Sequence, residues 1–385
     1  MIPYGRQDIS DEDIEAVVAV LRSDFITQGP SIRGFEQAVA DYCGAAHAIA
    51  VNSATSALHT ACLALGVGEG DLVWTSPITF VASSNCALYC GADVDFVDVD
   101  EATANMSVEA LEAKLAEAEA AGRLPKVVIP VHLCGTSCDM QAIRALGDRY
   151  GFKIIEDASH AIGGRYLDAP VGSCAFSDIT VFSFHPVKII TTGEGGMAVT
   201  NDADLAQRMD LLRSHGVTRD PSLMTREGDG PWYYQQVDLG FNYRITDIQA
   251  ALGLSQMSRL DEFVARRHEI ADWYDERLAE LPLQLPVRPV DSYSALHLYV
   301  IRVNLEHTER THLEVFESLR AQGIGVNLHY IPVYTQPYYE QLGFAAGLCP
   351  TAERYYERAI SIPMFPNLTA EDLAAIKGAL VDALA

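Results

Sequence analysis

The chain has 385 residues, of which 49% are apolar and 21% are charged, and its formal net charge is −25. This length and composition are typical of a globular protein with a sizeable core, and so acidic a chain repels nucleic-acid backbones and anionic membranes. Because no apolar run approaches a membrane span and the first residues lack the basic and apolar regions of a signal peptide, we expect a cytosolic protein.

The eight cysteines are scattered along the chain, mostly within apolar patterns. Cys86 and Cys90, like Cys134 and Cys138, are four residues apart, a spacing that metal ligands can have. No CxxC pair or paired-histidine motif accompanies them. We therefore expect buried, reduced thiols and no metal site.

The first part of the chain predicts two helices followed by alternating strands and helices. Ser10, with Asp13 three residues later, is typical of a helix start, and apolar spacing predicts helices over 11–22 and 31–44. The following strands are predicted at 48–51, 72–74, 94–97, 127–131 and 153–156, and the helices between them at 54–65, 80–89, 107–121 and 140–150. Such alternation predicts a mostly parallel sheet with helices on both faces, and ligands bind such sheets beyond the carboxyl ends of the strands.

The second part of the chain predicts a change of domain. Strands flank Lys188, a helix covers 203–214, and the polar stretch 218–235 is predicted to be a surface loop. A long helical pattern over 247–281 is interrupted near 258–260, where we place the boundary between a large domain, 1–260, and a small α+β domain, 261–385. The small domain is predicted to contain strands at 296–303 and 324–328 and helices at 313–322, 351–359 and 371–384.

A single lysine marks the stretch from Asp178 to Gly196. Lys188 follows an apolar strand, 179–184, and a turn at Pro186, and it precedes a glycine-rich segment. An amine held there by rigid neighbours and partly desolvated has a lowered pKa, which favours the neutral form that attacks an aldehyde. A solvated loop lysine is the alternative that this stretch alone leaves open.

A helix start that could bind an anion is predicted at the same edge of the sheet as Lys188. After strand 48–51 the small and hydroxylic residues Ser53, Thr55 and Ser56 begin a helix. The first N–H groups of a helix favour an anion such as a phosphate. An ordinary helix cap is the alternative.

Two further strand ends contribute a carboxylate, an imidazole and an aromatic ring. Asp157 could pair with a protonated ring nitrogen, and His160 could hydrogen-bond a neighbouring oxygen, although a magnesium or structural site would use the same residues. Phe80 could stack on a flat cofactor or belong to the core. Taken together with Lys188 and the anion site, these groups are what pyridoxal 5′-phosphate requires.

Six motifs resemble one family over nearly the whole chain. In order they are SATSALH, TSPITFVAS, EDASHAIGG, SFHPVKIITTGEGGMAVTND, LLRSHG and FNYRITDIQAALGLSQ. They resemble the DegT/DnrJ/StrS sugar aminotransferases. The resemblance implies an α/β protein of the pyridoxal-phosphate-dependent transferase fold type I, with a large domain around a mostly parallel sheet and a smaller C-terminal α+β domain.

Three shorter segments, DFITQGP, EDASHAIG and NLHYIPVY, resemble the branch of the family that works in pseudaminic acid biosynthesis. That resemblance implies transfer of an amino group from L-glutamate to C4 of a UDP-linked 2-acetamido-2,6-dideoxy-4-ketohexose. The product would be UDP-4-amino-4,6-dideoxy-N-acetyl-β-L-altrosamine. A dTDP-linked sugar, amination at C3 and a non-catalytic regulator that binds the cofactor remain alternatives.

The resemblance also implies roles for individual residues. Lys188 would bind the cofactor covalently and later move a proton between sugar C4 and cofactor C4′; a sister branch that dehydrates its substrate has histidine there. Asp157 would keep the ring nitrogen protonated, and His160, where many relatives have glutamine, would bond the phenolic oxygen. Arg244 would supply a cation near the site. The other implied contacts are Ala54, Thr55 and Ser183 to the phosphate, Asn242 to the phosphate from a second subunit of a homodimer, Phe80 to the ring, and Tyr4, Asp24, Phe25, Ile26, Thr27, Asn327, Leu328, His329 and Tyr330 to the nucleotide sugar.

Overall fold

The computed structural model describes residues 1–385, with thirteen α-helices and fifteen strands. The helices are α1 (Asp11–Leu21), α2 (Pro30–Cys43), α3 (Ala54–Ala64), α4 (Ala82–Tyr89), α5 (Val108–Ala120), α6 (Met140–Tyr150), α7 (Ala203–Arg213), α8 (Asp247–Met257), α9 (Leu260–Leu278), α10 (His312–Ala321), α11 (Pro337–Gln341), α12 (Pro350–Tyr356) and α13 (Ala370–Leu384). The strands are β1 (His47–Val51), β2 (Leu72–Thr75), β3 (Asp93–Phe96), β4 (Val127–Ile129), β5 (Lys153–Asp157), β6 (Arg165–Tyr166), β7 (Ala169–Pro170), β8 (Ile179–Ser183), β9 (Gly196–Thr200), β10 (Val217–Thr218), β11 (Gln235–Gln236), β12 (Leu283–Gln284), β13 (Ser292–Tyr293), β14 (Tyr299–Val303) and β15 (Ala359–Ile362).

A seven-stranded sheet in the order β1-β9-β8-β5-β4-β2-β3 forms the centre of the molecule. The strands from β8 to β3 are parallel, and β9 is antiparallel to both of its neighbours. Both faces of the sheet are covered. Val181 of β8 packs in one apolar cluster with residues of α3 and α4, and Phe182 packs in another with residues of α2 and α8. This arrangement confirms the predicted α/β fold with a mostly parallel sheet.

The interruption predicted in the long helix is confirmed, because α8 ends at Met257 and α9 begins at Leu260. A separate core of 23 buried residues, all between Ile270 and Leu384, surrounds the small sheet β12-β14-β15. This second core supports our proposal that residues 1–260 and 261–385 form two domains. The predicted loop at 218–235 is also present, and β10 and β11 pair at its two ends.

Three predictions in the C-terminal part were wrong. The segment 324–328 is not a strand: it makes isolated bridges, Ile2 to Ile324 and Asn327 to Ser361, and Asn327 Oδ1 accepts a hydrogen bond from the next backbone N–H. The strand predicted from residue 296 begins at Tyr299, because Leu296 has a left-handed backbone that ends extended pairing. The helix predicted over 351–359 stops at Tyr356, and the buried residues that follow form β15 against β14.

No helix in the chain combines the length and the apolar character that crossing a membrane requires.

Candidate active site

A cavity of about 1010 Å³ opens at the carboxyl ends of β1, β2, β5 and β8. It is the place where the ends of parallel strands meet and where such sheets bind ligands. Among its lining residues are the predicted cofactor contacts Ala54, Thr55, Phe80, Asp157, His160, Ser183 and Lys188 and the predicted substrate contacts Tyr4, Asn327, Leu328, His329 and Tyr330. The structure therefore brings together residues that are up to 326 positions apart in sequence, from Tyr4 to Tyr330.

Three other predicted groups lie outside this cavity of their own chain. The segment 24–27 is exposed between α1 and α2. The backbone of Asn242 is near the rim, where its carbonyl accepts a 3.4 Å hydrogen bond from Asn52 Nδ2. Arg244 lines a separate groove of about 650 Å³ beside α2 and α7.

Lys188 lies in the turn after β8, and the residue as a whole is half-buried. Hydrogen bonds from Thr191 Oγ1 and Thr192 N to the carbonyl of Phe184 close this turn. Burial lowers the pKa of Lys188 to about 8, although the charges of Asp157 and Cys134 act in the opposite direction. Part of the lysine is thus a neutral amine near neutral pH, which is the nucleophilic form.

The carboxylate of Asp157 is buried and accepts three hydrogen bonds from neutral groups. Its Oδ1 accepts from the backbone N–H of Ser159 at 3.1 Å and from the hydroxyl of Ser159 at 2.6 Å. Its Oδ2 accepts from the hydroxyl of Ser83 at 2.5 Å. Two carboxylate oxygens offer about four acceptor positions, so Asp157 can accept a further bond from a cationic ring N–H.

His160 is buried beside Lys188 and is held in one tautomer. Its Nδ1 accepts the backbone N–H of Cys134 at 3.2 Å, so Nε2 carries the hydrogen and points to the hydroxyl of Tyr330, also at 3.2 Å. Burial, together with the nearby Lys188 and His329, lowers the pKa of His160 well below its usual range. The neutral ring therefore has one donor, the Nε2–H, which can bond either the Tyr330 hydroxyl or an oxygen of a bound group in its place.

The segment 327–330 forms the opposite wall of the cavity. His329 Nδ1 lies 2.7 Å from the hydroxyl of Ser361, and the His329 ring is 5.3 Å from the ring of Tyr4. Burial, with a contribution from Lys188, lowers the pKa of His329 to about 3. This wall therefore offers neutral aromatic and hydrogen-bonding groups, which suit the rings and hydroxyl groups of a sugar.

The start of α3 supplies the predicted anion site. Ser53 is its N-cap and accepts the N–H of Ser56, whose hydroxyl donates to Asn52 Oδ1 at 2.7 Å. Those two hydroxyls are thus used within the cap, and the first N–H groups of the helix remain without helical partners. A Cβ at Gly196 would lie 2.4 Å from the Ala54 nitrogen, so glycine is needed for β9 to approach this helix start.

Two functional candidates were missed by sequence reasoning. Ser83 reaches Asp157 across 74 positions of sequence. His297 is 3% exposed, lines the cavity with its ring centroid 4.4 Å from that of His160, and its Nδ1 has no hydrogen-bond partner in the chain. The turn that carries His297 is fixed by buried Arg267, which donates to the carbonyls of Leu296, His297 and Met364. No sequence motif marks such a turn.

Comparison with known proteins gives the family. The model of the DegT/DnrJ/EryC1/StrS aminotransferase family matches residues 7–381. The chain belongs to this aminotransferase family. It is 38% identical over 384 residues to the spore coat polysaccharide biosynthesis protein SpsC of Bacillus subtilis. The match covers 99% of this chain and 96% of SpsC.

Solved structures agree with this assignment. Helicobacter pylori PseC, an aminotransferase involved in the biosynthesis of pseudoaminic acid, superposes with a TM-score of 0.91 at 32% identity over 100% of this chain and 99% of PseC. The PLP form of Spr1654, a putative sugar aminotransferase from Streptococcus pneumoniae, gives a TM-score of 0.87 at 30% identity over 100% of both chains. These neighbours have the fold type I of aminotransferases that depend on pyridoxal 5′-phosphate, which confirms the predicted fold class.

The residues of the cavity fit that cofactor. A half-buried lysine, a buried carboxylate without a cationic partner and a free helix start are the three groups that pyridoxal phosphate needs for its aldehyde, its ring nitrogen and its phosphate. The DegT-family protein is therefore a sugar aminotransferase that uses pyridoxal 5′-phosphate.

Proposed function

We propose that this aminotransferase moves the amino group of L-glutamate to C4 of a UDP-linked 2-acetamido-2,6-dideoxy-4-ketohexose, giving UDP-4-amino-4,6-dideoxy-N-acetyl-β-L-altrosamine for pseudaminic acid. The observation that carries the proposal is the similarity to PseC along the whole chain. The segments 24–27 and 327–330, whose sequences prompted the proposal, lie at different places: the second lines the cavity and the first is outside it.

The proposal assigns each side chain a task. When bound, pyridoxal 5′-phosphate supplies an electron sink for the reacting carbon. Lys188 holds the cofactor and then transfers the proton at sugar C4, because its lowered pKa lets it act as both base and acid near neutral pH. Asp157 keeps the ring nitrogen protonated, His160 bonds the phenolic oxygen, and Ala54, Thr55 and Ser183 hold the phosphate.

We further propose that the working unit is a homodimer in which Asn242 contacts the phosphate of the partner's site. Its position outside the Lys188 cavity of its own chain supports an action on a second copy. The eight free thiols support a cytoplasmic location, where cysteines stay reduced.

Absorption spectroscopy of the purified holoenzyme tests the proposal directly. Addition of L-glutamate should convert the cofactor to its amine form, and a UDP-linked 4-keto-6-deoxy-N-acetylhexosamine should restore the original spectrum. The corresponding dTDP-linked sugar and a 3-keto sugar are tested in parallel. A full cycle with the dTDP or the 3-keto substrate alone would replace the proposed substrate, and a spectrum that no amino donor changes would favour the non-catalytic alternative.

A further inference from the structure

The buried carboxylate of Asp157 receives hydrogen bonds from two different parts of the chain. Ser159, two residues further along, contributes a local pair of bonds to Oδ1. The bond to Oδ2 comes instead from Ser83, in the first turn of α4. This bond from a distant segment does not follow from the local backbone at Asp157, so a functional explanation can be sought for it.

The bond from Ser83 belongs to a chain of hydroxyl groups with a fixed direction. An ionised carboxylate can only accept, so the single hydrogen of the Ser83 hydroxyl points to Asp157. The hydroxyl of Thr79 is 2.7 Å from that of Ser83 and must therefore donate to it. Ser83 Oγ is also 3.3 Å from the carbonyl of Phe80, but the 2.5 Å contact to Asp157 is much the shorter. All three side chains are buried, which makes each of these bonds stronger than it would be in water.

The same segment carries the aromatic ring of the site. Phe80 lies between Thr79 and Ser83, and its ring is 61% exposed at the edge of the cavity. The hydroxyl chain thus ties the loop that presents this ring to the carboxylate at the end of β5. One short segment therefore positions both a ring face and a charged oxygen.

We propose that Ser83, supported by Thr79, is a positioning residue that holds the Asp157 carboxylate in place for the cofactor's ring nitrogen and stabilises its negative charge. Loss of the Ser83 hydroxyl removes a donor that stabilises the negative charge of the carboxylate. The acid-side transition of the bound cofactor, which depends on that charge, should therefore lie at higher pH. This inference rests on the proposed role of Asp157.

Ser84 provides a matched control in the adjacent position. It is as fully buried as Ser83 in the same helix turn, but its hydroxyl contacts that of Tyr339 at 2.5 Å and the carbonyl of Val81 at 3.0 Å. Ser83→Ala and Ser84→Ala remove the same atom from neighbouring buried sites. Only the first substitution changes the surroundings of Asp157.

The test is a pH titration of the cofactor absorption band in the holoenzyme and its variants, with thermal melting as a measure of folding. We expect the acid-side midpoint of Ser83→Ala to rise by about one pH unit, the size set by one hydrogen bond to a charged group. Ser83→Cys, which keeps a weaker donor, and Thr79→Ala should shift the midpoint less in the same direction. Ser84→Ala should keep the midpoint of the unsubstituted enzyme.

Equal midpoints for Ser83→Ala and Ser84→Ala would overturn the inference, as would a shift of the opposite sign. If Ser83→Ala does not fold, Ser83→Cys and Thr79→Ala decide by the same criterion. Asp157→Asn separates the two levels of the argument. An unchanged acid-side transition in Asp157→Asn would reject the role of Asp157 itself, whereas loss of that transition without any effect of Ser83→Ala would reject only the role of Ser83.

Discussion

The floor of the cavity is formed by Lys188, Asp157, His160 and the start of α3. It differs from the exposed segment 24–27 in which groups its side chains contact. The floor is built by one chain from strand ends that the sheet holds together, and its side chains Asp157 and His160 are buried and hydrogen-bonded. The segment 24–27 is equally well anchored, since the carbonyl of Ile26 accepts the N–H of buried Asp247. Yet Phe25 is 55% and Ile26 is 51% exposed. The reactive side chains of the floor thus all come from one chain, whereas the segment 24–27 exposes apolar side chains to solvent.

Other outward apolar residues follow the same pattern as the segment 24–27. Trp232 is 71% exposed and Leu239 is 75% exposed, and both lie near Asn242 in sequence. Exposed apolar side chains mark an interaction surface where they form one contiguous patch, and we propose such a patch for these residues. The contrast therefore predicts that substitutions in the floor change the activity of their own subunit. Substitutions in the segment 24–27 and around Trp232 and Leu239 should instead change the contact with a partner subunit.

The largest effect is expected from Lys188→Ala. Under the proposal the Lys188 amine is both the attachment point of the cofactor and the proton carrier, so its removal should lower turnover by at least about 10³-fold. Lys153→Ala is the matched control, because that lysine is exposed and pairs only with Asp178 at the surface. Steady-state kinetics on both variants measures the difference, and a Lys188→Ala enzyme with substantial turnover would reject the floor as the catalytic centre.

A smaller loss, about 10²-fold, is expected from Asn242→Ala, because under the proposal this substitution removes an uncharged donor and leaves a phosphate oxygen of the partner's site without it. The informative measurement mixes this variant with Lys188→Ala after dissociation and reassociation. If Asn242 acts on the partner, each mixed dimer contains one site with both residues intact, and about a quarter of the normal activity should return. A mixture as inactive as its components would show that Asn242 acts within its own chain.

The residues of the floor could be predicted from the sequence because each lies next to a strand that local patterns predict. Lys188, Asp157 and Thr55 each follow a recognisable strand, and the carboxyl ends of parallel strands share an edge, so their meeting could be predicted. The hydroxyl chain through Ser83 and the turn that carries His297 depend on contacts between distant segments, which leave no periodic signal. The strand predicted at 324–328 failed for a related reason, because this segment makes only isolated bridges to Ile2 and Ser361 and its last two residues line the cavity.

His160 should show a modest effect that depends on its hydrogen-bond donor. His160→Ala removes the Nε2 donor and should lower kcat/KM by about tenfold, the value of one hydrogen bond of roughly 1.4 kcal/mol. His160→Gln restores a donor at a similar distance and should recover most of the loss. Kinetics of the two variants at one pH provides the comparison, and equal losses in both would indicate that the imidazole serves packing against His297 and not a bond to the bound group.

The smallest expected change is a shift in pH dependence, and it distinguishes the floor from the outward segment most sharply. The pKa of Lys188 is lowered by burial to about 8, so the rate of cofactor uptake by the cofactor-free protein should rise with pH and level off above about 8. An ordinary lysine would place that midpoint near 10.4. Between these values the unfolded chain binds more protons than the folded one, and the free energy of unfolding of the cofactor-free protein should therefore increase as pH rises through this window.

Two substitutions of the same kind then separate the regions. Asp157→Asn removes the negative charge that raises the pKa of Lys188, so the uptake midpoint should move below 8. Asp24→Asn removes a carboxylate from the exposed segment 24–27 and should leave the midpoint unchanged, because that residue lies outside the cavity. Stopped-flow uptake across the pH range measures both. Equal shifts for the two variants would mean that the Lys188 amine responds to the net charge of the whole protein and not to its buried neighbour. The pKa of Lys188 would then not be set by Asp157 within the floor.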